Sequence, residues 1–362
     1  MWAFIFPGDF ITIDRSRFNF AQNYGILTGL KMKTKNFTIS LKKLHFICGI
    51  VVLAAFFWSC DNTGAIENEV NAIPVNLELD RFDIKFYEGS TKDIPALKTQ
   101  YPYLFPAQFS DSVWVRRQTD SLQLLLKSAV EKTFPSVTEL EKELSHLFQH
   151  VQYHFPQQQP PHAISIINNV DYQSKSIYAD SLLLISLDTY LGVNHPLYEG
   201  IPTYIRQEMD KRYMLPHIAE KIALQLLPPP ASRSFLAQMV YYGKIELLKQ
   251  YFLPHLTPAQ RLGYTEAQYQ WAEENERYMW QYLIEKQLLF DTDPDLQRRF
   301  IAPAPFSKFY LEIDNESPGK IGRWIGAQIV SSYWEQNNAS LETVLNTPAQ
   351  QLFNRSNYKP KR

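Results

Sequence analysis

One block of this chain is patterned for a β-sheet, and nearly everything around it is patterned for helices. AISIINNV (163–170) and SIYADSLLLISLDTYLG (176–192) are dense in Ile, Leu, Val and Tyr. Branched and aromatic side chains of this kind suit a pleated surface. With Asp171–Ser174 as a turn, the block predicts two or three antiparallel strands. Residues 75–87, VNLELDRFDIKFY, alternate in part and read as a further strand. Elsewhere the apolar period is helical. It predicts a helix over 112–133 with Leu122, Leu125, Leu126 and Val130 on one side, and a second over 138–154. After Gly192, helices are expected near 198–213, 214–227, 232–250, 258–262, 265–289, 318–335 and 339–353. Pro135 and the PPP at 228–230 end helices, and Ser317 before Pro318 reads as an N-cap with Pro at the first helical position. One sheet-forming block inside a helical chain leaves few architectures. The expectation is a single α+β domain, mostly helical, around a small antiparallel sheet.

The amino-terminal part carries a different message. Residues 1–59 hold seven Lys/Arg against two Asp/Glu in a chain of net charge −1, so the remainder is acidic by about six charges. An acidic body has no electrostatic footprint for nucleic acid. From Met32, Lys33, Lys35, Lys42 and Lys43 precede the apolar run Phe46–Trp58. That run is too short for a comfortable membrane span and suits the centre of a signal peptide. Ser59 and Cys60 follow. The end of the run resembles a bacterial lipobox, with Phe57 and Trp58 bulkier than the usual pattern. Cys60 would then be lipidated and become the new N-terminus, its acyl chains giving stable anchoring. The expected organisation is 1–31 as a misassigned start, 32–59 as a lipoprotein signal peptide, 60–71 as a polar tether and 72–362 as the folded domain. With Cys48 and Cys60 the only cysteines, no disulfide framework is expected.

SHLFQHVQYHFP places His146, His150 and His154 four residues apart. On the 138–154 helix, Leu140, Leu144, Leu147, Phe148 and Val151 share one face, and the histidines lie about a quarter-turn away. His146 and His154 would be about 12 Å apart along the axis, too far to share one ion. A zinc site takes four ligands, or three with one position open, usually from more than one element. The stripe therefore reads as a polar helix edge, with no metal or cofactor expected.

APFSKFYLEIDNESPGKIGRWIGAQIVSSYW is the densest unusual stretch. Gly319, Gly322 and Gly326 lie along one helix, each costing about 1 kcal/mol relative to Ala. Close approach of another backbone is the simplest offset. A cleft wall is the alternative, with Lys320, Arg323 and Trp324 near a helix N-terminus that favours anions. A peptide C-terminus or acidic segment would dock there, unless Glu312, Asp314 or Glu316 absorb the charges. Tyr269, Trp271, Tyr278, Trp280 and Tyr282 crowd one stretch and are expected in the core.

Longer stretches carry a family resemblance: YPYLFP, SLLLISLDTYLG, FLAQMVYYGKIELL, LGYTEAQYQWAEENERYMWQYL, the glycine-containing block above and the closing LNTPAQQLFNRSNYKPKR. From VNLELDRFD onward, nearly the whole mature chain resembles the gliding-motility lipoprotein GldB family. The resemblance implies a role in the gliding machinery and the protein secretion associated with it, with other envelope machinery proteins as partners, and no reaction. A remoter likeness is to a zinc-peptidase fold, in which one helix carries H-E-x-x-H and a later helix a ligand carboxylate. In LPHIAEKIALQL, Glu220, Lys221 and Leu224 would stand at the His, Glu and second His places, and in MVYYGKIELL, Tyr242 would stand at the ligand Glu. Every required group is missing.

These readings converge on a lipid-anchored, periplasm-facing envelope protein that is not an enzyme, with a degenerate zincin-like fold. Its candidate ligand or partner cleft comprises His217, Glu220, Lys221, Tyr242, Lys320, Arg323 and Trp324. The alternatives are a metal-dependent peptidase built on His217, Glu220 and Glu246, and a periplasmic peptide- or glycan-binding lipoprotein using Lys320 and Arg323.

Overall fold

The computed structural model describes residues 62–179 and 181–361. The 1–31 segment, the signal segment 32–59 and Cys60 lie outside them. The described residues fall into two units, 62–69 and 70–361. The first is the start of helix α1 (Asn62–Asn71), so the segment expected as a tether is helical. The second holds the sheet and the remaining helices.

The strands are β1 (Leu79–Asp80), β2 (His162–Ile166), β3 (Ser176–Ala179) and β4 (Leu182–Ser186), in the spatial order β1-β2-β4-β3. β1–β2 and β2–β4 are parallel, and β3–β4 is antiparallel. The sheet is therefore mixed, which corrects the antiparallel expectation. Two-sided burial is the physical reason. Ala163, Leu183 and Ile185 face one core cluster, while Ile164, Ile166 and Leu184 face another. Strands covered on both faces read as unbroken apolar runs, and such strands pair in parallel. The turn after β2 re-aims the chain: the Asn168 amide donates to the Asp171 and Ser174 carbonyls, and its Oδ1 accepts the Asp171 N–H. β3 then lands outside β4 instead of beside β2.

The strand expected over 75–87 shrinks to Leu79–Asp80. After Arg81 the spacing is helical, with Phe82 and Phe86 one turn apart and their rings stacked at 5.5 Å in α2 (Phe82–Glu88). Arg81 pairs with the buried Asp83 at 2.7 Å. The helix expected over 112–133 is two, α3 (Asp111–Thr119) and α4 (Ser121–Thr133), because the Asp120 carboxylate caps α4 through the Gln123 N–H. Leu126 and Val130 are buried, whereas Leu122 and Leu125 are 51% and 54% exposed, against the expectation of one shared face. α5 spans Thr138–His154 as expected.

Further on come α6 (Met214–Leu226), α7 (Phe235–Phe252), α8 (Glu266–Glu274), α9 (Glu276–Glu285), α10 (Ile321–Asn337) and α11 (Ala349–Ser356). The expected 198–213 helix is reduced to Thr203–Arg206 between short 3₁₀ turns. The 265–289 helix breaks at Asn275. Ser317 is not an N-cap. Its hydroxyl donates to the Asp314 and Ser307 carbonyls, and α10 begins after Lys320, which sits at φ 62°. Tyr278, expected in the core, is 71% exposed.

α7 and α10 touch backbone to backbone. A methyl built on Gly326 would overlap the Met239 carbonyl, and one on Gly243 would overlap the Gly326 carbonyl. Close approach of another backbone, the simpler of the two sequence readings, accounts for Gly326, whereas Gly319, expected along the same helix, precedes α10, and a methyl there would overlap the Ala304 carbonyl. Asp188 anchors the lower end of the sheet. Its buried carboxylate accepts the Asn168 and Val170 N–H groups, holding Asn169 and Val170 at positive φ.

Candidate functional site

Three helices and one loop deliver charged side chains to a single place. α6 supplies His217 and Glu220, one turn apart. α7 supplies Tyr242, Glu246 and Lys249. The start of α10 supplies Lys320 and Arg323, and the loop before α6 supplies Glu208. The α7–α10 glycine contact brings the last two helices close enough for these chains to interdigitate.

The contacts form two joined groups. In the first, Glu208 takes the Lys320 ammonium at 2.6 Å and His217 Nε2 at 2.9 Å, while Lys320 also donates to the Leu262 carbonyl at 2.8 Å. The Tyr190 hydroxyl lies 3.1 Å from His217 Nδ1. This pattern assigns a neutral imidazole whose Nε2–H donates to Glu208 and whose Nδ1 accepts from Tyr190. In the second, Arg323 donates from Nη1 to Glu220 at 2.9 Å and from Nε to the Ile301 carbonyl at 2.8 Å, with its guanidinium 4.2 Å from the Tyr242 ring centre. Lys249 pairs with Glu246 at 3.0 Å, reaches Glu220 at 3.9 Å and donates to the Arg261 carbonyl.

Burial and charge set the ionisation. Burial pushes the Glu220 carboxyl up, but Arg323, Lys249 and Lys320 together outweigh it and hold the group at about 2. Glu208 is likewise held well below the usual range, with Lys320 and His217 overcoming burial. Burial, reinforced by Lys175, lowers His217 to about 4 despite Glu208. Burial raises Glu246 against the pull of Lys249. The result is a lock of paired charges that is largely but not fully buried, Glu208 and Glu220 keeping 17% and 23% of their side-chain surface, and charges at such depth stay in place only when paired and hydrogen-bonded.

Five of the seven cleft residues read from sequence meet here: His217, Glu220, Tyr242, Lys320 and Arg323. Lys221 makes no ion pair among the described residues, and Trp324 is buried in the helical core beside Tyr269. Lys320 and Arg323 pair with Glu208 and Glu220, not with Glu312, Asp314 or Glu316. Asp314 instead accepts the N–H groups of Phe309, Tyr310 and Leu311. Sequence reading missed Glu208, Lys249 and Tyr190. Glu208 had no signal because it was placed inside an expected helix. Lys249 was legible as i+3 from Glu246.

The histidine stripe divides. His146 and His150 stand edge to face at 4.7 Å, and His146 is 6.1 Å from His255, which follows α7. His154 packs against Tyr251 at 4.7 Å.

The family model for gliding motility protein GldB matches residues 63–360. The chain belongs to the GldB family. No curated protein sequence and no solved structure matches it. The GldB match covers the sheet, all three helices of the charged lock and the glycine contact, and it makes this chain a gliding-motility-associated lipoprotein. No helix among the described residues is long and apolar enough to cross a membrane.

The lock predicts acid sensitivity. His217 has a folded-state value below its ordinary 6.5, so the unfolded chain binds the extra proton as pH falls from about 6.5 to 4, and stability is lost there. The shift corresponds to about 3 kcal/mol. Glu220 acts in the same direction between its ordinary 4.5 and about 2. Asp188 opposes them. Burial raises it from 3.8 to about 6, so it favours the folded state as pH falls through that range. The clean readout is therefore a difference. His217→Asn is expected to destabilise most at pH 7 and to converge on the parent as pH falls to 4. Urea denaturation of both proteins across that range checks it, and parallel curves would contradict the assignment.

Proposed function

We propose that the protein is a non-catalytic, lipid-anchored component of the cell envelope. It supports gliding motility and the associated protein secretion by holding other machinery proteins through direct contact, facing the periplasm with its anchor at Cys60. The observation that carries this reading is the occupation of a site built from catalytic residue types. His217, Glu220 and Glu246 are each engaged by a fixed partner in the charged lock. Glu220 and Tyr242, the positions aligned with peptidase metal ligands, both contact the Arg323 guanidinium. A protein cation thus contacts both of the aligned positions, which supports the reading of a peptidase-like scaffold turned to binding. The same ion pairs leave Lys320 and Arg323 little free charge for a peptide or glycan.

The contact surface in this proposal lies elsewhere on the domain. Tyr282, Lys286, Leu288, Arg299, Phe309, Tyr310 and Leu311 line a surface groove of ≈ 370 Å³. Tyr310 is 69% exposed and Leu311 53%. Asp314 holds Tyr310 at φ 61°, a strained setting for a non-glycine residue, and so presents it outward. Arg299 lies between the Phe300 and Tyr310 rings, at 4.7 and 4.5 Å. Among the described residues neither Arg299 nor Lys286 is within ion-pair distance of a carboxylate. Arg299 itself is buried and donates to the Lys308 carbonyl and the Tyr282 hydroxyl, so the exposed Lys286 is the cation this aromatic face offers, which suits an acidic, aromatic-containing segment of a partner protein.

Two measurements test the proposal. Cys60→Ala is expected to move the protein from the membrane fraction to the soluble envelope fraction and to abolish gliding. Membrane retention at the parent level would contradict lipidation there. Purified full-length protein is expected to show no peptide hydrolysis, and hydrolysis lost in Glu220→Gln would overturn the non-catalytic reading.

A further inference from the structure

The charged lock is balanced within itself. Glu208 faces Lys320, Glu220 faces Arg323, and Glu246 faces Lys249. Two further cations stand beside it. Lys175, immediately before β3, and Lys221, on α6 one turn beyond His217, are both half-buried. Among the described residues neither ammonium lies within ion-pair or hydrogen-bonding distance of an acceptor. α6 packs against β3, and Lys175 is within electrostatic reach of Glu208, Lys320, Glu220 and Lys221. Burial pulls its ammonium below the ordinary lysine range, Lys320 and Lys221 adding to the effect and Glu208 and Glu220 opposing it. A cation taken out of water costs free energy unless an anion replaces the water. The carboxylates nearby are already engaged.

The loop that carries Lys175 is held in place. The Ser186 N–H donates to the Lys175 carbonyl at 3.0 Å, and the Ser186 hydroxyl to the Ser174 carbonyl at 2.9 Å. Earlier in the same loop Val170, a β-branched residue, sits at φ 56° with its N–H on Asp188. Strain of this kind persists only where the surroundings impose it, and it clusters at functional sites. Ser176 pairs across to Ile185, so its side chain shares the face on which Ile185 meets Ile218 and Ile222 of α6. The Ser176 hydroxyl is buried there without a hydrogen-bond partner among the described residues.

We propose that Lys175 and Lys221 form a binding site for a peptide carboxylate at the seam of β3 and α6. Two compact ammonium charges on different elements, with a spare hydroxyl on the same face, suit one anionic group taken between them. The carboxylate is that of a chain end or of an acidic side chain. The site owes nothing to the Tyr310 groove, so either proposal can fail alone.

The test titrates the full-length protein, in an uncharged detergent, with N-acetyl-trialanine as the free acid and with N-acetyl-Ala-Glu-Ala amide, followed by calorimetry. Binding of the first alone assigns the chain end; binding of both assigns any peptide carboxylate. Lys175→Gln and Lys221→Gln are each expected to weaken binding at least fivefold, and Lys286→Gln to leave it unchanged. Binding is also expected to weaken as salt rises, as for any ion pair open to solvent. Lys175→Met, which keeps the stem and removes the uncompensated charge, is expected to keep or raise the urea midpoint. Neither peptide binding at millimolar concentration, binding that survives Lys175→Gln combined with Lys221→Gln, inorganic phosphate binding more tightly than either peptide, or a lowered midpoint in Lys175→Met would each overturn the proposal.

Discussion

Gly326→Val is expected to leave no cooperatively folded protein. Overpacking a core by a few methylenes costs about 1–3 kcal/mol when side chains can shift. Here the obstacle is the Met239 carbonyl of α7, which is part of a hydrogen-bonded helix and cannot yield alone. Moving α7 away would also part Lys249 and Glu246 from Glu220 and Arg323, so packing and charge fail together. The expected loss exceeds about 4 kcal/mol, most of the stability of an ordinary domain. Gly322→Ala is the control. A methyl there meets the Ile301 Cδ1 at 2.8 Å, the end of a flexible side chain, although the Phe300 carbonyl stands at 3.0 Å. A smaller loss of about 1–3 kcal/mol is expected. Urea denaturation followed by circular dichroism separates the two. A Gly326→Val protein with the parent's midpoint would refute the backbone contact.

The second large effect belongs to Arg323. Replacing it with Met keeps most of the volume over Tyr242 but strips Glu220 of its principal counter-charge. Removing one partner of a buried pair costs about 3–5 kcal/mol because the other charge is stranded. Glu220 would then titrate well above about 2, so the variant should regain part of its stability in mild acid while the parent does not. Glu220→Leu combined with Arg323→Met should recover much of the loss, since an apolar replacement of both partners removes the stranded charge. A single-variant loss under about 1 kcal/mol would show that Lys249 and solvent suffice to hold Glu220.

The features legible in the sequence were those with local causes. α5 was readable because Leu144, Leu147, Phe148 and Val151 repeat at helical spacing and Pro135 and Pro156 bound it. The close approach at Gly326 was readable because a helix-interior glycine needs an offset, whereas Gly319, read into the same helix, precedes α10. Sheet direction was not legible. SLLLIS fits a strand covered on both faces, but which neighbour it takes depends on the Asn168 turn, a side-chain hydrogen-bond pattern with no composition signature. Residues of the charged lock were readable on α6, α7 and α10. Their pairing was not, because Glu208 and Glu220 reach Lys320 and Arg323 across a long stretch of chain, whereas Glu312, Asp314 and Glu316 lay close in sequence.

If this protein works by contact, its exposed groove must touch another protein in the living envelope. The most direct measurement is site-specific photo-crosslinking in gliding cells whose only copy is full-length and carries a photoreactive residue in place of Tyr310. A discrete crosslinked partner is expected, weakened when the exposed Lys286 is changed to Glu and absent when the probe replaces Tyr103, which is exposed elsewhere on the domain. Gliding cells that yield no crosslink from position 310, nor from Leu311 or Phe290, would contradict the account.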